Sequence, residues 1–180
     1  MANGRRRKCQ IERLQTARGV ISEQVDLPEH IYEFYRNLFG PEPRGSVRLH
    51  EGVWSQKGSL SDSQRECMTR PFSVEEVEAA IKDMKTETAP GPDGFPVIFY
   101  KKFWGLLKWW IMEMVEDFYK GKLDLKRLNY GVITLIPKVV EAASIKQYRP
   151  ICLLNVFYKL FTKLLAVRLG RVADDIISKT

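Results

Sequence analysis

A chain of 180 residues, 44% of them hydrophobic, can bury one core, or a core plus an arm, so it should fold at least in part. Net charge is +7 and unevenly spread: residues 1–18 carry Arg5, Arg6, Arg7, Lys8, Arg13 and Arg18 against Glu12, and residues 120–171 carry eleven Lys/Arg against Asp124 and Glu141. A surplus held at the two ends suggests a polyanionic partner, because each phosphate neutralised releases counterions.

Cys9, Cys67 and Cys152 are odd in number and far apart, with only His30 and His50 to join them, so neither a disulfide framework nor a zinc site is indicated. The longest apolar run is too short for a membrane span, and no apolar region follows the basic N-terminus. The expectation is an intracellular protein, nuclear or cytoplasmic, neither secreted nor membrane-bound.

In chain order, Arg5-Arg6-Arg7-Lys8 opens a basic arm suited to nucleic acid or to nuclear import. Residues 10–25 read as a strand pair or extended segment around Gly19. Asp26, Pro28 and Glu29 then signal a helix start, and Ile31, Phe34, Tyr35, Leu38 and Phe39 repeat at helical spacing, predicting a helix over 27–39 with its aromatic stripe in the core. From Gly40 to Arg70 no period is sustained, which predicts a long loop with Trp54 as its packing residue.

Ser73 and Glu76 form a capping box, with Phe72 and Val77 placed as a hydrophobic staple, for a helix whose face is Val74, Val77, Ile81 and Met84 and whose end is near Lys85. Pro90, Gly91, Pro92, Asp93 and Gly94 follow. Prolines that lock φ, glycines that free it, and an Asp that can bond its own backbone two residues on make a rigid structural turn. A short aromatic helix (Pro96, Val97, Phe99, Tyr100, Phe103, Trp104) should then lead into a longer one through Leu106, Leu107, Trp110, Ile111, Met114, Val115 and Phe118, kinked at Gly105 and buried over a wide arc.

Residues 129–136 are β-branched and strand-like, and a second extended run covers Tyr148–Leu154, with Pro150 marking an irregular or edge strand. The two predict an antiparallel hairpin with Lys138 and Arg149 near its tip. Asn155 should cap a helix with Val156, Phe157, Leu160, Phe161, Leu164, Leu165, Val167 and Leu169 inward and Lys159 and Lys163 on another face. Like charges so close are costly unless an anion meets them, which makes Lys138, Arg149, Lys159 and Lys163 candidate phosphate contacts. Asp174-Asp175, at the end of a helical pattern, reads as a solvated helix end.

Three blocks in order, Ala-Pro-Gly-Pro-Asp-Gly-Phe at 89–95, Leu-Ile-Pro-Lys at 135–138 and Tyr-Arg-Pro-Ile-Cys-Leu-Leu-Asn at 148–155, resemble the opening blocks of a non-LTR (LINE-type, plant-like) retrotransposon reverse transcriptase. Residues 2–8 are similar to the linker that precedes the polymerase in that family, and Cys152 stands where a serine is common. The resemblance implies an α+β fold, several helices packed around a small antiparallel β-hairpin as in the fingers subdomain. It divides the chain into a basic arm and linker (1–25), a helix and long loop (26–71) and a partial polymerase domain (72–180). Lys138 and Arg149 would contact the triphosphate of an incoming nucleotide; Arg5, Arg6, Arg7, Lys8, Lys159 and Lys163 would contact RNA or an RNA/DNA hybrid.

Nucleotidyl transfer needs two metal ions held by converging carboxylates, and the family's aspartates lie downstream of Arg168-Leu169, in the palm. The implied reading is therefore fingers without palm or thumb, with no catalytic residue or metal ligand among these residues. Mg2+ is expected only in the complete polymerase, nucleoside triphosphate should bind weakly, and a separate palm-containing chain is a candidate partner. The alternatives are an RNA-binding remnant and a protein-interaction module, neither with a polymerase role.

Overall fold

The computed structural model describes residues 11–17, 19–22, 26–40 and 60–176. The arm Arg5–Lys8 and Trp54 lie outside them. The fold is α+β: among the described residues, eight helices and two two-stranded sheets. The chain divides into two compact units that do not follow chain order: Met1–Leu49 with Ile133–Ile151, and His50–Val132 with Cys152–Thr180.

In the first unit, strands β1 (Leu14–Thr16) and β2 (Gly19–Ile21) pair antiparallel, Leu14 opposite Ile21 and Thr16 opposite Gly19. Gly19 sits at φ +120°, a conformation that strains an L side chain, which is why glycine follows this turn. Helix α1 (Asp26–Phe39) begins at Asp26, one residue earlier than predicted, so Asp26 and Glu29 lie in the first turn, where carboxylates complement the helix dipole. Leu14, Leu27, Tyr35, Ile145 and Tyr148 form this unit's core. The predicted stripe is only partly inside: Tyr35 is buried, whereas Leu38 and Phe39 are 58% and 61% exposed.

The second unit holds the larger core. A helix absent from the sequence reading, α2 (Asp62–Thr69), opens it, capped at Ser61 by reciprocal bonds with Gln64. No residue of α2 is buried, so it carries no apolar period, and its only local signal was that capping box. Helix α3 (Val74–Asp83) starts as predicted: the Ser73 hydroxyl accepts from the Glu76 N–H at 3.2 Å, and Glu76 Oε2 accepts from the Ser73 N–H at 3.2 Å. Phe72 and Val77 are both buried.

Helices α4 (Val97–Lys102) and α5 (Trp104–Tyr119) meet at Phe103, which takes φ −102° and ψ 17°, so the break falls at Phe103 rather than Gly105. Burial along α5 is narrower than predicted. Ile111 and Val115 are buried, but Leu106 is 76% and Trp110 62% exposed. A short helix α6 (Leu125–Leu128), its Asp124 cap accepting from the Lys126 N–H, precedes strand β3 (Gly131–Pro137). A 3-10 turn at Ile145–Gln147 leads to β4 (Tyr148–Leu154), which pairs with β3 in the expected hairpin.

Helix α7 (Val156–Gly170) buries Val156, Leu160, Phe161, Leu164 and Arg168. Leu165, Val167 and Leu169, expected inward, are 40% or more exposed, and the inward position one turn after Leu164 belongs to Arg168. Helix α8 (Ala173–Ile176) carries Asp174 and Asp175 exposed in its first turn, as a helix end rather than a strand turn.

Candidate nucleotide and nucleic-acid interface

The hairpin brings Lys138 and Arg149 to one end. Lys138 follows directly on β3, its N–H donates to the Gln147 carbonyl at 2.8 Å, and Arg149 stands two residues beyond that carbonyl on β4. The loop between is closed by Gln147, whose Oε1 accepts from the Ala143 and Ser144 N–H groups at 2.8 and 3.0 Å. Tyr148 is buried and its hydroxyl donates to the Ala142 carbonyl at 3.0 Å, anchoring the start of β4 beneath Arg149.

The two cations differ in availability. Lys138 Nζ donates to the Lys146 carbonyl at 2.8 Å and retains two further N–H groups. Arg149 is exposed, and its side chain has no hydrogen-bond or ion-pair partner among the described residues. A guanidinium left with five free donors is suited to a phosphate's planar pairs of oxygens.

The Pro-Gly turn does more than join α3 to α4. Gly94, at φ +75°, donates its N–H to the Gly91 carbonyl at 3.0 Å, and Asp93 Oδ1 accepts from the Phe95 N–H at 3.1 Å, the predicted Asx bond. The turn is seated on the start of α7. Asn155 Oδ1 accepts from the Asp93 N–H at 3.3 Å, and Lys159 Nζ donates to the Ala89 carbonyl at 3.3 Å. Asn155 thus occupies the N-cap position of α7 without a side-chain cap bond, a correction to its predicted role: its amide serves the turn instead of the helix. A Cβ on Gly91 would fall under 3.0 Å from the Asn155 backbone, so only glycine permits this approach.

Lys159 and Lys163 are therefore not bare charges. Besides the Lys159 bond to Ala89, Lys163 is ion-paired with Asp83, whose carboxyl this partner holds below its usual range by hydrogen bond and charge. Both line a cavity of about 370 Å³ with Lys85.

The strongest electrostatic constellation is one the sequence reading missed. Arg168 is 2% exposed, yet every donor is met. Nη1 donates to the Arg70 carbonyl at 2.6 Å and the Met68 carbonyl at 3.3 Å; Nη2 donates to the Pro71 carbonyl at 3.0 Å and Glu76 Oε2 at 2.8 Å; Nε reaches Glu76 Oε1 at 3.3 Å. Its guanidinium lies 3.8 Å from the Phe72 ring centroid. Burial pushes the Glu76 carboxyl up, but the hydrogen bonds and charge of Arg168, with the Ser73 N–H and Arg70, outweigh it and hold Glu76 at about 2. Such a cluster braces the 68–76 connection against α7 and is structural. The available signal was an arginine in register with Phe161 and Leu164 on an apolar helix face.

A cavity of about 780 Å³ is lined by α1 and β3 residues including Leu27, Ile31, Tyr35 and Leu135, with Arg36 its one charged group. It contains neither Lys138 nor Arg149 and offers little to a triphosphate. Among the described residues, no group of three His, Cys, Asp or Glu converges as metal ligands would.

No family model matches the chain. Over 145 residues, 80% of its length, it is 32% identical to an uncharacterised 149 kDa protein of transposon TX1 from Xenopus laevis. The chain spans about 11% of that relative's length. The likeness supports an origin in a transposon-encoded protein.

Proposed function

We propose that the chain is fingers-region sequence of a non-LTR retrotransposon RNA-directed DNA polymerase, in which the β3–β4 hairpin presents Lys138 and Arg149 to the phosphates of a nucleotide. The observation that carries this reading is the hairpin itself: two cations held at one end by short backbone and side-chain bonds, with the guanidinium of Arg149 exposed and unpaired. The likeness to a transposon protein supports the setting. Arg5, Arg6, Arg7 and Lys8, with the spare donors of Lys159 and Lys163, contribute template RNA contacts. Mg2+ belongs to the complete polymerase.

The test is binding of a nucleoside triphosphate and of single-stranded RNA by the 180-residue chain. A charged hydrogen bond contributes roughly 1.5–3 kcal/mol, so Lys138→Ala or Arg149→Ala should weaken triphosphate binding severalfold to about a hundredfold. Arg149→Lys should recover only part, since a point charge cannot replace the fork. If both alanine variants bind as the parent does while deletion of residues 1–8 abolishes binding, the arm is the phosphate site and the hairpin is not.

A further inference from the structure

Lys138 is held at both ends by one short stretch of chain. Its backbone N–H donates to the Gln147 carbonyl at 2.8 Å, and its Nζ donates to the Lys146 carbonyl at 2.8 Å. The direction of the ammonium is therefore set by where residues 146 and 147 lie. Two buried side chains flank that pair, Ile145 and Tyr148. Gln147 itself is exposed, so its side chain fills no part of the core. It serves the loop instead. Its Oε1 accepts from two successive N–H groups, Ala143 at 2.8 Å and Ser144 at 3.0 Å, while the Gln147 N–H donates to the Ser144 carbonyl at 2.9 Å. Two donors on one atom identify it as the amide oxygen.

The loop needs such holding. Glu141 takes φ 58°, in the left-handed region that non-glycine residues enter at a cost and keep only where the surroundings over-determine it. The next three residues are tied down. The Ala142 carbonyl accepts from the Tyr148 hydroxyl at 3.0 Å, the Ala143 carbonyl accepts from the Gln15 N–H of β1 at 2.7 Å, and the Ala143 and Ser144 N–H groups go to Gln147. Of these ties, only the Gln147 amide comes from the residue whose carbonyl receives the Lys138 N–H.

We propose that Gln147 is a positioning residue for phosphate binding: its side-chain amide fixes the 143–147 turn, and through it the two carbonyls that aim the Lys138 ammonium. It acts through Lys138 and not on the phosphate. The inference rests on the hairpin reading and adds to it a residue outside the cationic pair. Without the amide, the Ala143 and Ser144 N–H groups turn to water and Lys138 samples directions in which its spare donors miss the ligand, so binding must order the lysine afresh.

The experiment titrates thymidine triphosphate into the isotope-labelled 180-residue chain and reads Kd from NMR shifts in a double-mutant cycle. Gln147→Ala should raise Kd about twofold to tenfold, the range of one net hydrogen bond. Gln147→Met, nearly as long but without the oxygen, should do the same. In a Lys138→Ala background, Gln147→Ala should change Kd by less than about twofold, because no ammonium is left to position. Amide hydrogen exchange gives a second readout: in Gln147→Ala the Lys138 N–H should exchange faster, while the Val77 N–H of α3, in the second unit, matches the parent. A general loss of stability would quicken both. If Lys138→Ala weakens binding but Gln147→Ala does not, the positioning role is overturned and the hairpin reading stands. A loss from Gln147→Ala that is equal with and without Lys138 also overturns it. If Lys138→Ala and Arg149→Ala both bind as the parent does, the hairpin reading fails and the positioning role falls with it.

Discussion

Arg168 shows how one side chain can hold a fold together at a cost that only its partners offset. A buried guanidinium is expensive to desolvate, and removing one partner leaves an uncompensated charge. Arg168→Ala should therefore lower stability by about 3–5 kcal/mol in urea unfolding, and Arg168→Lys should restore little, because an ammonium cannot reach three carbonyls and both oxygens of Glu76. Glu76 gives the same cluster a pH signature. Its carboxyl falls from an ordinary 4.5 to about 2 on folding, so the unfolded chain takes up the proton first. The stabilisation is complete above pH 4.5 and is lost as pH falls toward 2, a change of about 3 kcal/mol by linkage. Between pH 7 and pH 2 the parent should lose about that much more stability than Glu76→Gln; equal losses would mean that the Arg168 pair does not control the carboxyl.

At the scale of elements, the Pro-Gly turn and α7 act as one joint. Gly91 is pinned against the Asn155 backbone, whereas Gly94 faces open space and needs glycine only for its φ of +75°. The two glycines should thus respond differently. Gly91→Ala forces backbone apart and should cost about 1–3 kcal/mol, as overpacking does, while Gly94→Asn, which tolerates the left-handed region, should be close to neutral. Comparable melting temperatures for the two variants would show that the turn is not seated on α7. Helix α2 teaches a related lesson: with no buried residue, it is held by its capping box and by polar ties such as Gln64 Nε2 to Asp175 Oδ2 at 2.6 Å. Hydrophobic period cannot reveal such a helix.

At the scale of the molecule, exposed apolar surface gathers on α5: of the α7 residues expected inward, Phe161 is buried and Phe157 packs against the core while Leu165 is exposed, and on α5 Leu106, Trp109 and Trp110 face solvent. The 180 residues alone should incorporate no nucleotide on a primed RNA template with Mg2+ or Mn2+, because polymerase chemistry needs carboxylates converging on two metals, and the adjacent Asp174 and Asp175 sit exposed on a helix, Asp175 tied to Gln64. Template-dependent extension above a no-protein control would refute this. Binding of RNA should weaken steeply with salt, as counterion release requires.

The sequence alone determined the elements whose causes are local. Capping at Ser73, the Asx bond at Asp93 and the two β-branched strands each follow from residues within a few positions of one another, and all are observed; around Gly19, where the sequence admits a strand pair or an extended segment, the pair forms. The positions of Lys138 and Arg149 at one hairpin end were legible too, because an antiparallel pair with a short loop leaves no other arrangement. Tertiary structure decided which apolar faces are covered. A helical wheel ranks faces but does not say how much neighbouring surface exists to bury them, so α5 keeps two tryptophans in solvent while α7 takes an arginine inside. It also decided that Asn155 serves a turn sixty-two residues earlier in the chain rather than its own helix, since a side-chain amide goes to whichever backbone N–H the packed chain brings within reach.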